Sequence, residues 1–269
     1  VSGNMSNDRN NWSAPLELTP GQNEIAYFGT HRVRRTTNNG NTWQVISEDL
    51  TQGGENYYHS LTCLAVSALN NNYVLAGSAD GRVNITTDWG ISWQDISFGL
   101  PDRWITDVKF DPQDENTIYA TISGFRWDEA LPHVYKSVDL GQSWIDISGN
   151  LPELPVNQMV IDPDDPNEVV VGTDAGIFMT VDGGQYWESI TGNMPIVPVV
   201  AFKLIPQTKD LYAATYGIST YKINLNDVNV GIGDKLTINE SFAVSWVKAS
   251  SSILIENEEA QDFNILIYN

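Results

Sequence analysis

Charged and aromatic side chains are concentrated in two stretches of the chain, and their types suit the binding of a ring-shaped polar ligand. A tryptophan ring offers area for stacking, while arginine and carboxylate groups fix the orientation of a sugar ring or a peptide edge. An alternative is that the tryptophans fill a gap between neighbouring structural units, because large aromatic side chains gain most from burial. The candidate ligand-binding residues are Asp102, Arg103, Trp104, Arg126, Trp127, Asp128, Glu129 and His133.

Carboxyl groups in the same region also suggest glycoside hydrolysis. That reaction usually needs two carboxyl groups about 5–5.5 Å apart for retention or about 6.5–9.5 Å apart for inversion. The chain has 34 acidic residues against 14 basic ones, so the presence of carboxylates selects no particular pair. We therefore assign no catalytic residue. The acids available for such a pair are Asp102, Asp128, Glu129 and Glu153.

The other chemistry-bearing residues form no recognisable motif. His31, His59 and His133 are scattered along the chain without the spacing of zinc ligands, and no serine or cysteine triad or phosphate-binding loop is present. Cys63 lies in an apolar run and is expected to be a buried thiol. The acidic loop at 162–167 has the Asp, Pro and Asn of a turn rather than the six or more oxygens of a calcium site. We predict no metal and no cofactor.

Four eight-residue segments repeat one pattern, Ser/Thr-x-Asp-x-Gly-x-Ser/Thr-Trp, and we call them the repeat turns: 36–43, 86–93, 137–144 and 180–187. Asn38 replaces the Asp in the first, and Tyr186 replaces the Ser or Thr in the fourth. The Asp can accept backbone hydrogen bonds, and the Gly can adopt a positive φ. We therefore predict a structural role for Asn38, Gly40, Trp43, Asp88, Gly90, Trp93, Asp139, Gly141, Trp144, Asp182, Gly184 and Trp187.

Short strands surround these turns in a constant order. Two apolar strands come first, a third leads into the turn and a fourth follows its tryptophan. About five such repeats of about 45–50 residues, the last without a turn, predict an all-β propeller of four-stranded blades over residues 1–223. Residues 1–6 match 147–152 and 190–195, which end two repeats, so we expect the chain to be the C-terminal part of a longer repeat protein.

The repeated pattern resembles the Asp box, or BNR repeat, of β-propellers such as sialidases, family 74 xyloglucanases and sortilin-like receptors. In the resembled enzymes the active site lies on the face opposite the boxes, which implies that the turn aspartates are scaffold. The arginine cluster and Arg-Ile-Pro motif of sialidases are missing, and a xyloglucanase needs a cleft between two propellers. The opposite face would carry 49–60, 98–104, 123–133, 150–157, 174–176 and 215–218.

The pattern changes after Ile223. Residues 224–234 are expected to form a linker, and 235–269 a small β-sandwich-like segment with strands at 241–248, 252–256 and 263–268. The last seven residues resemble the middle of the sorting domain of type IX secretion cargo. This resemblance implies export and contact with the secretion machinery.

The net charge of −20 argues against a nucleic acid or an anionic membrane surface as partner. The sequence contains no apolar run of about 18 residues, so no membrane span is expected, and the polar residues after Val1 are not expected to form a signal peptide. We expect a secreted or surface-attached binding or scaffold module for an extracellular glycan or protein. The alternatives are a glycoside hydrolase acting on extracellular polysaccharide and a structural subunit of a surface assembly.

Overall fold

The computed structural model describes residues 8–54, 59–129, 131, 133–228 and 230, and the backbone of 242–247 and 252–257. The chain divides into two compact units, Val1–Ile232 and Gly233–Asn269. The first unit contains five antiparallel sheets that follow one another along the chain, each packed against the next as the blades of a propeller. The predicted all-β propeller fold is confirmed.

The strands of the five blades appear in chain order. Blade 1 contains β1 (Leu16–Thr19), β2 (Gln22–Gly29), β3 (Val33–Thr36) and β4 (Gln44–Val45). Blade 2 contains β5 (Leu61–Val66), β6 (Val74–Ser78), β7 (Val83–Thr86) and β8 (Gln94–Asp95). Blade 3 contains β9 (Trp104–Phe110), β10 (Ile118–Ser123), β11 (His133–Ser137) and β12 (Ile145–Asp146). Blade 4 contains β13 (Val156–Ile161), β14 (Val169–Thr173), β15 (Gly176–Thr180) and β16 (Glu188–Ser189). Blade 5 contains β17 (Val199–Ile205), β18 (Asp210–Thr215) and β19 (Thr220–Asn224).

Within the described residues, blade 5 has three strands, whereas the other four blades have the predicted four. After β19 the chain forms a short 3₁₀ helix, Leu225–Asp227. Leu225 is buried in the core between blades 4 and 5. This helix therefore belongs to the propeller, although it lies in the stretch that the sequence analysis assigned to a linker.

An apolar core fills each seam between consecutive blades. β6 and β14 are buried along their whole length, which explains why the second strands read as continuous small and apolar runs. Cys63 lies in the core between blades 2 and 3, and burial raises the pKa of its thiol to about 12. The thiol is therefore protonated at neutral pH and packs as an apolar side chain.

The four repeat turns share one hydrogen-bond pattern. The hydroxyl of the first residue donates to Oδ1 of the third at 2.7–3.0 Å, and the backbone N–H of the glycine donates to that hydroxyl at 2.8–3.0 Å. The same Oδ1 accepts the backbone N–H of the seventh residue at 2.9–3.0 Å. Asn38 supplies its amide oxygen in the position of the aspartates, so this substitution preserves the turn.

The tryptophan of a repeat turn connects its blade to the preceding one. The indole N–H donates to the carbonyl of the residue that follows the fourth strand of that blade. The pairs are Trp93 with Ile46 at 2.9 Å, Trp144 with Ile96 at 2.8 Å and Trp187 with Ile147 at 2.9 Å. The repeat turns thus fix both the hairpin and the seam beside it.

The second unit contains one antiparallel hairpin of β20 (Phe242–Val247) and β21 (Ser252–Asn257). These two strands coincide closely with two of the three strands expected there. The third expected strand at 263–268, on which the resemblance to a sorting domain rests, lies outside the described residues, as do residues 1–6.

Candidate functional site

The candidate residues lie on the propeller face opposite the repeat turns, which we call the opposite face. Antiparallel strands place the connections of strands two to three, and of each blade to the next, at the end away from the repeat turns. Asp102 and Arg103 end the loop from blade 2 to blade 3, and Trp104 begins β9. The remaining candidates lie in or beside the connection from β10 to β11. The two stretches are therefore neighbours at the same end of blade 3.

A tight turn at 124–129 fixes the position of Glu129. Phe125–Trp127 forms a 3₁₀ turn, and Asp128 follows in a left-handed conformation with φ 56°. The backbone N–H of Glu129 donates to the carbonyl of Gly124 at 3.2 Å. A Cβ atom on Gly124 would lie 2.7 Å from the Glu129 Cβ, so the turn closes only with glycine at this position.

Glu129 joins a cation and an imidazole from the two flanking segments. Arg103 donates from Nε to Oε2 of Glu129 at 2.8 Å, and His133 Nε2 lies 3.2 Å from Oε1. Burial raises the pKa of Glu129, but the Arg103 hydrogen bond and the charge of His133 outweigh burial and lower that pKa below its ordinary value. Glu129 is therefore ionised at neutral pH and acts as an acceptor and an orienting charge, not as a proton donor.

An arginine covers the tryptophan of the same cluster. The guanidinium carbon of Arg126 lies 4.0 Å from the ring centroid of Trp104, within the range of a cation–π contact. Trp104 is half-buried and Arg126 is exposed. The Trp104 side chain is therefore partly accessible to solvent beside Arg126. The side chain of Trp127 lies outside the described part of the structure.

Three residues that the sequence analysis did not select connect this cluster to blades 1 and 2. Gln52 donates from Nε2 to Asp102 Oδ1 at 2.6 Å, and its backbone N–H donates to Asp80 Oδ2 at 2.8 Å. His59 Nδ1 lies 3.4 Å from the same Asp80 oxygen. The only signal in the sequence was the pair Asp80-Gly81, which is typical of a turn. In the structure this glycine is needed because a Cβ atom on Gly81 would lie 2.6 Å from Asp102 Oδ1. Contacts between blades were needed to find these residues.

The other candidate acids remain apart from this network. Asp128 is exposed, and its carboxylate takes part in none of these contacts. Glu153 is exposed in the loop from blade 3 to blade 4 and is likewise outside them. Among the described carboxyl groups, burial raises the pKa of Glu17 and Glu168 above the ordinary value. Both residues lie elsewhere in the propeller. The network thus combines charged groups with an aromatic ring, and its Glu129 carboxyl group is held ionised.

Two clefts lie away from the network. A groove of about 830 Å³ runs along the seam between blades 1 and 2, where the Arg35 guanidinium lies 3.7 Å from the ring centroid of Trp89. A cavity of about 440 Å³ lies between blades 4 and 5, where Lys209 bridges Asp162 and Asp164 at 2.6 Å. Within the described ranges, no three His, Cys, Asp or Glu side chains are grouped to hold a metal ion. The described helices are all too short to cross a membrane.

Comparison with known proteins shows that solved structures share the fold of this chain, but it assigns the chain to no family. No protein-family model matches the chain, and no curated protein matches it. An ancestral GH74 enzyme is 21% identical with a TM-score of 0.62, over 80% of this chain and 30% of its own. The GH74 xyloglucanase from Xanthomonas campestris is 13% identical with a TM-score of 0.63, over 81% of this chain and 37% of its own. The Cps50 (Swd1) β-propeller domain of Myceliophteria thermophila is 13% identical with a TM-score of 0.58, over 81% and 68% respectively.

This chain therefore spans about a third of the length of the two GH74 structures. At these identities the likeness is one of fold, and propellers named for different functions share it. The fold places the protein among β-propellers, of which only some neighbours are named as enzymes, so any function must be argued from the site itself.

Proposed function

We propose that this propeller is a secreted or surface-attached binding module that holds an extracellular glycan on the opposite face. The observation that carries the proposal is the cluster of Trp104, Arg126, Arg103, Glu129 and His133. It combines a partly exposed aromatic ring with ionised groups whose positions are fixed by neighbouring hydrogen bonds. Such a surface can contact a sugar ring through the accessible part of Trp104 and the guanidinium of Arg126, while the other charged groups bind its hydroxyls.

The arrangement is fixed before any ligand arrives. Arg103 and His133 approach Glu129 from two segments, and the turn at 124–129 is closed by its own backbone hydrogen bond. A site that is already ordered loses less conformational entropy when it binds. The loop is also longer than its counterparts between strands two and three of the other blades, and long loops on rigid scaffolds often carry function.

Export is part of this proposal. The predicted sorting-type segment at 235–269 would deliver the module to the cell exterior or surface, with the secretion machinery as a transient partner. A high net negative charge suits solubility in that setting. Detection of the native protein in the culture medium or outer surface fraction, compared with a version truncated after residue 234, tests this part alone.

Glycan binding is tested by measuring the retention of the protein on immobilised xyloglucan, other plant β-glucans, mannan and pectin. We expect retention on at least one of them, with affinity reduced about tenfold or more by Arg126→Ala and by Trp104→Ala. A loss of about 1.4 kcal/mol corresponds to tenfold, within the range of a cation–π or stacking contact. Trp89→Ala is the matched control, because Trp89 is also covered by an arginine but lies away from the cluster.

Retention that Trp89→Ala abolishes and Arg126→Ala preserves would place the glycan elsewhere. Failure of every polysaccharide, combined with capture of an extracellular protein that Arg126→Ala releases, would replace the glycan with a protein partner.

The GH74 fold likeness favours a glycoside hydrolase acting on extracellular polysaccharide as the second candidate. Glu129 is held ionised, which suits a nucleophile or base, and the acid would come from the other candidate acids, Asp102, Asp128 or Glu153. Release of reducing ends from xyloglucan that Glu129→Gln abolishes would support hydrolysis. Binding without release supports the module.

A further inference from the structure

The repeat turn of blade 2 carries an aromatic and an aliphatic side chain that the turn itself does not need. Its fourth and sixth residues are Trp89 and Ile91, which are 37% and 88% exposed. The first and fourth repeat turns have small or polar residues at these two positions: Asn39, Asn41, Gly183 and Gln185. The side chains that close the turn belong to its other residues. Trp89 and Ile91 are therefore available for a contact outside the turn.

The backbone at Trp89 is strained. Its φ of 63° is a left-handed conformation, which is unfavourable for a bulky side chain. Leu140 has φ 55° at the same position in blade 3, but its side chain packs against the core between blades 2 and 3. The Trp89 ring instead stacks on the Arg35 guanidinium of blade 1 and stays partly exposed. Strain of this kind clusters at binding sites, where a contact with a ligand offsets it.

Arg35 is held in place and has no acidic partner in the described part of the chain. Its Nη1 donates to the backbone carbonyl of Trp89, while the guanidinium carbon lies 3.7 Å from the Trp89 ring centroid. Other arginines form ion pairs with carboxylates: Arg9, Arg32, Arg34, Arg82 and Arg103. Since a guanidinium has five N–H donors, Arg35 keeps donors for a carboxylate that another molecule supplies.

The outer edge of blade 1 runs beside these side chains. β4 is the last strand of its sheet and, among the described strands, pairs only with β3. The Ile46 N–H donates to the Val33 carbonyl, so in the alternating pattern of an antiparallel pair the N–H and C=O of Val45 point away from β3. Such a free edge can pair with the backbone of another extended chain.

The side chains and the free edge meet in one groove. Arg35 pairs with Gln44 on one side and with Tyr27 on the other, and directly paired residues share one sheet face. Tyr27 is buried in the core shared with blade 2, so this face is directed towards blade 2. Trp89 and Ile91 line the other wall of the groove of about 830 Å³ between the two blades. We call Arg35, Gln44, Trp89, Ile91 and the edge of β4 the seam groove.

The charges of the seam groove differ between its two ends. Arg35 lies beside the first repeat turn, level with Gln44 at the start of β4. At the other end, beyond β4, Glu48 is exposed and Asp49 is paired with an arginine at 2.6 Å. Asp95, the third acid that lines the groove, is likewise paired with an arginine at 3.2 Å. An acidic group is therefore complementary to the repeat-turn end of the groove.

We propose that the seam groove binds an extended peptide segment of another protein. The backbone of the segment pairs with Val45 and adds a fifth strand to blade 1, and one acidic side chain binds Arg35. Side chains two positions apart share a face of a strand, so an aliphatic residue two positions from the acidic one contacts Trp89 and Ile91. Ile91 has no polar group to bind sugar hydroxyls, which favours a peptide over a glycan. The seam groove lies apart from the proposed glycan site and does not depend on it.

The probe is the peptide Ser-Thr-Ile-Thr-Glu-Thr-Ile-Thr-Ser with both ends capped. Its pattern is the same in both directions, so it tests either orientation of the added strand. We expect calorimetric titration of the full chain to show saturable binding, and the indole N–H resonance of Trp89 to shift. Replacing the peptide Glu by Gln should weaken binding about tenfold or more, because charge-assisted hydrogen bonds are lost.

Backbone pairing is tested with two N-methylated versions of the probe, one for each set of alternate backbone N–H groups. All side chains remain in both versions. Only the set that faces β4 donates to the edge, so one version should lose binding and the other should keep it.

Protein variants test the two side-chain contacts. Arg35→Gln should weaken binding of the Glu peptide about tenfold or more and leave binding of the Gln peptide unchanged, a difference that a merely structural role would not produce. Ile91→Asn introduces the residue that the first repeat turn has at this position and should weaken binding of both peptides. Gln142→Ala, at the same position in blade 3, is the matched control and should change neither. Thermal unfolding confirms that each variant is folded.

Equal affinities for the Glu and Gln peptides, an equal response to both N-methylated versions, or an unmoved Trp89 resonance at millimolar peptide would overturn the proposal. A polysaccharide fragment that shifts Trp89 and competes with the peptide would also overturn it, because the seam groove would then bind sugar.

Discussion

Two arginine–tryptophan stacks show how the repeat-turn side of the propeller differs from the opposite face. Arg35 lies 3.7 Å from the ring centroid of Trp89, and Arg126 lies 4.0 Å from that of Trp104. Arg35 also donates to the Trp89 backbone carbonyl at 2.5 Å, so this pair ties a repeat turn to the neighbouring blade. The Arg126 pair instead adjoins Glu129 and its partners, which come from separate segments.

The carboxylates of the two faces differ in the same way. Asp88 accepts hydrogen bonds from Ser92 and Thr86 of its own turn, and these lower its pKa to about 2. Glu129 binds Arg103 and His133 from beyond its own turn, and Asp102 binds Gln52 from the loop after blade 1. Acidic residues therefore stabilise their own turn on the repeat-turn face, whereas on the opposite face they join side chains from separate segments into one surface. The following substitutions test this contrast in order of decreasing effect.

Gly141→Ala should produce the largest loss of stability. Its φ of +85° disfavours any side chain, and the new Cβ would lie 2.5 Å from Ile96 Cδ1 and 2.7 Å from Ile96 Cβ. Left-handed strain and overpacking together should lower the free energy of unfolding by about 3 kcal/mol or more. Gly99→Ala on the opposite face is the matched control.

Gly99 has φ +96° and no neighbour within 4 Å of a new Cβ, so its substitution should cost only the strain of about 1–2 kcal/mol. Urea denaturation measures both. Equal losses for the two variants would show that the repeat turns do not depend on close packing against the preceding blade.

Acidification should reveal one structural carboxylate on the opposite face. Burial raises the pKa of Asp8, but hydrogen bonds from Arg32, Arg34 and Thr30 outweigh burial and lower that pKa from 3.8 to about 2. Because the folded-state pKa is below the unfolded value, the stabilisation is present above about pH 4 and is lost as pH falls towards 2. The loss should be about 2 kcal/mol.

The measurement is the free energy of unfolding between pH 6 and pH 2 for the wild type and for Asp8→Asn. The variant should already be less stable at pH 6, because it leaves the buried Arg34 without the carboxylate. It should also lose less stability on acidification. Parallel pH profiles for the two proteins would contradict this role of Asp8.

Asp139→Ala should lower Tm, because Asp139 accepts hydrogen bonds from Ser137 and Ser143 that close its repeat turn. Asp139→Asn should recover most of the loss, since Asn38 makes the equivalent contacts in the first repeat turn. Neither variant should change the glycan affinity of the folded protein. A change in affinity with no change in Tm would place a binding role on the repeat-turn face.

Glu129→Gln should have the smallest effect on stability and a large effect on binding. The Arg103 pair is partly exposed, and pairs of this kind contribute less than about 1 kcal/mol. Loss of the charge should nevertheless weaken glycan binding about tenfold, because Arg103 and His133 lose the group that orients them. Calorimetric titration and thermal unfolding of the same sample separate the two effects.

Much of this architecture could be predicted from the sequence because its causes are local. Asp139, Gly141 and Trp144 are adjacent in one turn, and the apolar first strands read directly as buried β structure. The 3₁₀ helix after the third strand of blade 5 was less visible, since apolar residues alternate with polar residues and glycine after Ile223. Leu225 packs into the core between blades 4 and 5, and no local sequence pattern predicts that contact.

The composite surface was only partly predictable for the same reason. The candidate residues at 102–104 and 126–133 were conspicuous by type. Gln52, His59 and Asp80 were not, because they reach the cluster through contacts between blades. The order of strands along the chain gives each blade, but the distances across a seam depend on how the blades pack.

The most direct test of the central claim is to follow tryptophan indole resonances while adding a polysaccharide fragment that the retention screen identifies. If the opposite face binds it, the Trp104 resonance shifts in a saturable manner, Trp89 stays in place, and Arg126→Ala weakens the response. A saturable shift of Trp89 with Trp104 unmoved would contradict the assignment of the site to the opposite face.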